Sequence, residues 1–232
     1  MCSFELSLPC CSTPKHSNGL EKFAVIQLSS DNNISAPTYV KRLLHNATCS
    51  VSIPVKTSQS VSFSNNSCVH MCVSDNNCSD ENSVLQRSVD VQQQIFQFVE
   101  ESKKQYNGLC SFFIVSCKPL DFVSTMYYVS GMYKCQLKFG VCIQGVFGLS
   151  YFCVLPKGLT EIKTDTGLEG DWCGLIPLGH PVTVSTTGLK WNLHDDIMEL
   201  GGLISTSNEL TACGKVTVSA DFPILWVIGI KD

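Results

Sequence analysis

Apolar and polar positions follow two rhythms along this chain, one of period two and one of period near 3.6, and these mark out its expected elements. Phe23-Ala24-Val25-Ile26-Gln27-Leu28 reads as a strand. Residues 51–55 and 61–63 alternate weakly, and Pro54 places the first of these at a sheet edge. The Asn- and Asp-rich stretch 64–83 reads as a loop. Val84, Val91, Ile95, Phe98 and Val99 then recur at helical spacing, which predicts a helix over 84–106. Asn82 or Ser83 can cap its start, and Asn107-Gly108 supplies a left-handed stop.

Beyond the helix the pattern turns to strands. The nearly all-apolar run 109–117 suits a strand buried on both faces. Residues 119–127 form a short helical turn on this reading. From 132 to 141 the alternation is the cleanest in the chain: Tyr133, Cys135, Leu137, Phe139 and Val141 on one face, Lys134, Gln136 and Lys138 on the other. A strand over 146–155 follows, closing at Pro156-Lys157-Gly158. Shorter candidates lie at 181–186 and 189–193, and strands at 216–219 and 224–230 end the chain. Residues 1–20, with Pro9, Pro14 and Gly19 and no periodicity, read as an arm ahead of a single domain over 21–232.

Composition favours burial against partners. A chain of 232 residues suits one or two domains and can bury a sizeable core without staples. Hydrophobic residues make up 44% and charged residues only 16%, against roughly a quarter in an average soluble domain. The net charge is −4, and Lys41-Arg42 and Lys103-Lys104 are the largest basic clusters. That excludes a basic stripe for gripping phosphates. The N-terminus shows no secretory pattern, and the longest apolar run, 222–230, is too short to span a bilayer and holds Pro223. No membrane is expected as a partner. The 14 cysteines are then expected as free thiols packed as small hydrophobes, and four Asn-x-Ser/Thr triplets, at Asn33, Asn46, Asn65 and Asn77, as chance products of a polar region.

Two cysteines merit testing as nucleophiles. Gly170-Asp171-Trp172-Cys173-Gly174 looks like the nucleophile turn of chymotrypsin-like viral cysteine proteases, where small residues let main-chain N–H groups face an oxyanion. Thr211-Ala212-Cys213-Gly214 resembles it less well, lacking the preceding glycine. Either thiol needs a histidine base, and His45 is the upstream candidate. Cys68, His70, Cys72 and Cys78 could be offered as a zinc cluster, but the second ligand pair of a structural site is missing. His194-Asp195-Asp196 reads as a solvated turn, and His16 and His180 stand alone. The glycines from 140 to 148 lack the helix a phosphate loop requires. The sequence therefore points to no catalytic residue, no metal site and no cofactor.

The segment 122–158 resembles the capsid proteins of picorna-like viruses. Tyr127-Tyr128-Val129-Ser130-Gly131 stands for the step after a short helix. Residues 132–139 stand for a long strand, Gly145-Val146-Phe147-Gly148 for a glycine turn, 149–155 for a second strand, and Pro156-Lys157-Gly158 for its end. Residues 181–193 and 215–230 are similar to the last strands of such a domain. Size and cysteine usage are similar to small coat proteins of plant secoviruses, including the cheraviruses. The resemblance implies an all-β, eight-stranded antiparallel jelly-roll sandwich with one or two short helices. It further implies a structural coat protein, not an enzyme. Such a protein assembles with like and related capsid subunits in the host cytoplasm into an icosahedral virion, with single-stranded RNA contacted weakly or indirectly. The competing expectation is the viral cysteine protease, with Cys173 and His45 as its pair.

Overall fold

The computed structural model describes residues 3–7, 23–29, 49–54, 68–70, 82–106, 111–116 and 119–231. The chain divides into two compact units, one formed by 13–148 and the other by 1–12 with 149–232.

The unit 13–148 is built on a parallel sheet. Its strands are β2 (Phe23–Ser29), β3 (Cys49–Pro54), β4 (Cys68–His70), β5 (Ser111–Ser116) and β6 (Cys142–Phe147), in the order β6-β5-β2-β3-β4. Every pairing among them is parallel. Parallel neighbours need a crossover, and helix α1 (Asn82–Gln105) and helix α2 (Phe122–Phe139) lie in two of these connections. The central strands of such a sheet are buried on both faces and apolar throughout. Phe112-Phe113-Ile114-Val115 and Ala24-Val25-Ile26 fit that pattern and are fully or almost fully buried. Pro54 ends a strand with partners on both sides. The ladder to β4 covers only Ser50–Ser52, while that to β2 reaches Pro54 at its last pair, Ser29↔Pro54, so the proline stands at the end of its strand.

The largest departure from expectation is α2. Residues 132–141 do not form a strand. Asp121 caps the helix start by accepting the Ser124 N–H at 2.8 Å, and Gly140 ends it at φ +60, donating to the Gln136 carbonyl at 2.9 Å. The buried set is Tyr128, Val129, Gly131, Met132 and Cys135, at helical spacing. Leu137, expected on a buried sheet face, is 61% exposed. Gly131 lets α1 approach: a β-carbon there would lie 3.4 Å from Gln92 Nε2, and that amide donates to the Tyr127 carbonyl at 2.9 Å.

The second unit holds two sheets. One has the order β1 (Ser3–Ser7), β8 (Gly158–Lys163), β13 (Lys215–Ala220), β10 (Val182–Thr187) and β11 (Asp196–Met198). In the other, β14 (Ile224–Ile230) lies between β7 (Ser150–Leu155) and β9 (Glu169–Pro177), and β12 (Ser205–Asn208) pairs with β9. Strand β1, inside the stretch expected to be an arm, pairs parallel with β8 from Ser3↔Leu159 to Ser7↔Lys163. Strands β10 and β13 alternate buried and more exposed positions, as an antiparallel sheet with one face inward does. Strand β14 is buried along its whole length; Trp226 sits between Cys153 of β7 and Leu175 of β9.

An all-β, eight-stranded jelly roll is therefore excluded. The expected strand over 146–155 is two strands separated by a turn at Gly148 (φ +58), and 189–193 is a loop bearing one isolated bridge, Leu189↔Leu210. Strands β8, β9, β11 and β12 had no counterpart in the sequence reading. The expected run 61–63 and the helix stop at 107–108 lie outside the described residues.

Candidate functional site

The residues weighed as candidates for chemistry are not brought together into one site among the described residues. Cys173 sits in β9 with no exposed surface, and burial pushes its thiol up to about 12, far from the thiolate a nucleophile requires. Its expected base, His45, lies outside the described residues, as do Cys72, Cys78 and His16. Cys213 is exposed. Hydrogen bonds with the Thr211 side chain and then the Lys215 main chain hold its thiol below its ordinary value; Sγ lies 3.0 Å from Thr211 Oγ1 and 2.9 Å from the Lys215 carbonyl, with no histidine among these partners. His194, Asp195 and Asp196 do form a turn. Asp196 accepts the His194 N–H at 2.8 Å, and Asp195, at φ +56, accepts the Ser185 hydroxyl at 2.5 Å. His180 packs on Phe222, ring centroids 5.5 Å apart. Among the described residues no group of three metal-ligating side chains is placed to hold an ion.

A densely hydrogen-bonded surface feature lies elsewhere, in the loop that follows β10. Gly188 turns the chain at φ +82. The base of the loop is closed twice by Thr186, whose N–H donates to the Leu193 carbonyl and whose Oγ1 accepts the Leu193 N–H, both at 2.9 Å. Asn192 Oδ1 accepts the Leu189 N–H at 3.1 Å. A second segment, running on from β12, braces this loop. Lys190 N–H donates to the Glu209 carbonyl at 2.9 Å, and Thr211 donates to the Gly188 carbonyl through its N–H at 3.1 Å and its hydroxyl at 2.9 Å.

At the centre is Asn208, only 4% exposed. Its Oδ1 accepts the Trp191 N–H at 3.2 Å and the Glu209 N–H at 2.9 Å. Its Nδ2 donates to the Trp191 carbonyl at 2.8 Å and to Ser205 Oγ at 3.4 Å. A fixed main chain thus carries a tryptophan that is 54% exposed. Lys190 Nζ lies 4.6 Å from the indole centroid and 2.9 Å from Glu209 Oε2. A half-open indole carried on a fixed main chain offers a face on which a planar ring can stack.

Comparison with known proteins bears on this same region. Residues 159–225 match the family model described as thiamin pyrophosphokinase, vitamin B1 binding domain. Thiamine pyrophosphokinase 1 of Arabidopsis thaliana is 51% identical over 80 residues, and thiamine pyrophosphokinase 2 of rice (Oryza sativa subsp. japonica) 47% identical over 81. Each alignment takes in 34% of this chain and 30% of the relative, so the chain spans about a third of the length of the curated relatives it matches. Solved thiamin pyrophosphokinases share the fold across most of the chain. The yeast enzyme superposes with a TM-score of 0.63 at 12% identity, covering 98% of this chain and 91% of its own. The Candida albicans enzyme gives 0.60 at 14% identity, covering 91% and 90%.

These findings overturn the capsid reading. A parallel sheet with crossover helices, shared with thiamin pyrophosphokinases, replaces the jelly roll. The matched relatives bear the names of enzymes, which removes the expectation of a non-enzymatic shell subunit. With it fall the capsid partners, the enclosed RNA and the placement in a virion. The viral protease falls too, since its thiol is buried and the match is to another family. The loop at 186–193 had been visible only as a possible short strand. Its Thr, Gly and Asn content is that of a turn whose side chains satisfy its own main chain, a signal available in the sequence.

Proposed function

We propose that this chain acts as a thiamine pyrophosphokinase: residues 149–232 bind thiamine, and a diphosphoryl group passes to it from ATP. The match of residues 159–225 to a vitamin B1 binding domain carries this reading. Thiamine carries an aromatic aminopyrimidine, a planar ring of the kind that stacks on a half-exposed indole such as Trp191. In the transfer, the primary hydroxyl oxygen of thiamine bonds to the β-phosphorus of ATP. The bond from that phosphorus to the α–β bridging oxygen breaks and AMP leaves, the hydroxyl proton passing to a base or to solvent. The parallel sheet of residues 13–148 supports the second half of the reading by fold alone.

The test is titration of the purified chain with thiamine by calorimetry, followed by incubation with thiamine, ATP and magnesium and oxidation of the products to fluorescent thiochromes. Saturable binding in the micromolar to low millimolar range and ATP-dependent thiamine diphosphate are expected. Absence of binding at 10 mM thiamine overturns the proposal. Binding without diphosphate retains the vitamin site and removes the transfer.

A further inference from the structure

We infer that Asn208 is the positioning residue of this site, holding Trp191 so that its indole is presented to the ligand ring; the inference rests on the thiamine reading above. The argument is one of hydrogen-bond accounting. A carboxamide offers two donor hydrogens and one acceptor oxygen, and Asn208 directs both kinds of group at the same residue. It binds Trp191 N–H and Trp191 C=O at 3.2 and 2.8 Å, although seventeen positions separate the two residues in the chain. Nothing in strand pairing supplies these bonds, because residues 189–193 join no ladder beyond the bridge Leu189↔Leu210. Buried as it is, Asn208 costs stability if its partners are lost. Its remaining bonds, to Ser205 Oγ and the Glu209 N–H, fix the carboxamide plane itself. The indole itself meets Lys190 Nζ, 4.6 Å from its centroid, and the main chain from which it projects is held by Asn208.

The experiment is a double-mutant cycle on thiamine binding, Asn208→Ala against Trp191→Ala, in the full chain labelled with 5-fluorotryptophan. Each single variant is expected to weaken binding about tenfold, and the double variant to bind no more than about twofold worse than Trp191→Ala alone. In the fluorine spectrum Asn208→Ala should shift or broaden the Trp191 resonance, assigned by Trp191→Phe, and leave that of buried Trp226 in place. Additive losses, or an unmoved Trp191 resonance, overturn the inference. Should Asn208→Ala fail to fold, Asn208→Asp carries the same test, because it keeps the acceptor and loses the donor. If the wild-type chain does not bind thiamine, the functional reading fails while the fluorine spectrum still decides whether Asn208 orients Trp191.

Discussion

The α-carbon of Gly188 faces the main-chain carbonyl of Lys215 so closely that a β-carbon at 188 would fall inside the contact distance of that oxygen. Gly188 is also at φ +82, where L side chains are strained. Two independent costs thus meet at one position, directly before the Trp191 loop. Gly188→Ala is expected to destabilise the fold by at least about 2 kcal/mol, from the left-handed backbone and from the displacement of β13. Gly140, at φ +60 but in open space, bears only the first cost, so Gly140→Ala should lose about 1 kcal/mol. Chemical denaturation of the two variants checks the ordering. Equal losses would show that the contact with Lys215 has no weight.

Thiol chemistry separates the described cysteines sharply. Burial pushes Cys173 and Cys135 each up to about 12, while hydrogen bonds hold the exposed Cys213 below its ordinary value. At pH 8 the native chain is expected to alkylate rapidly at Cys213. Cys173 and Cys135 should react only after unfolding, as peptide mapping of iodoacetamide adducts would show. Cys213→Ser should remove that rapid reaction and leave the protection of the other two unchanged. Rapid native labelling of Cys173 would contradict the buried placement and reopen a nucleophilic role.

The helix start at Asp121 gives a pH-dependent prediction. Hydrogen bonds from the Ser124 main chain and side chain hold its carboxyl below its ordinary value of 3.8. A carboxyl with a depressed folded-state value adds stability above its unfolded value and loses that addition as the pH falls through the folded one. Asp121→Ala should therefore lower Tm at pH 7, and the gap to wild type should close as the pH drops from about 4 toward 2. Thermal melts across that range test this. A gap that stays constant would mean the carboxylate is not the group that caps the helix.

That same helix shows where the sequence misleads. Both of its end signals, Asp121 and Gly140, are plain to read, yet Tyr133, Cys135, Leu137 and Phe139 alternate with Lys134, Gln136 and Lys138 as a strand would. The alternation arises because α2 is apolar over much of its circumference; Phe122 and Val123 are exposed along with Leu137. Strands buried on both faces were legible, since Phe112 to Val115 and Ile224 to Ile230 leave no polar face to assign. So was α1, whose apolar positions recur at one helical face. The candidate site was not. Its organising bonds run from Asn208 to Trp191, and hydrogen bonds between residues far apart in the chain have no local pattern. The capsid resemblance rested on the shape of a strand pair that turned out to be a helix followed by two strands.

Trp172 and Gly229 supply the last prediction. A β-carbon on Gly229 would lie 2.7 Å from Trp172 Nε1 and 3.2 Å from its Cδ1, so the indole of β9 rests on the bare main chain of β14. A β-carbon on Gly170 would likewise lie 2.8 Å from the Gly229 carbonyl carbon. Trp172 is partly exposed and can swing outward, so Gly229→Ala should relocate the ring at a cost of about 1–3 kcal/mol. Its fluorescence should shift to the red and quench more readily with acrylamide. In the background Trp172→Phe the same substitution should leave the spectrum of the remaining tryptophans unchanged, because Trp226 faces the opposite side of β14. A spectrum unmoved by Gly229→Ala would show that the indole does not lie over β14.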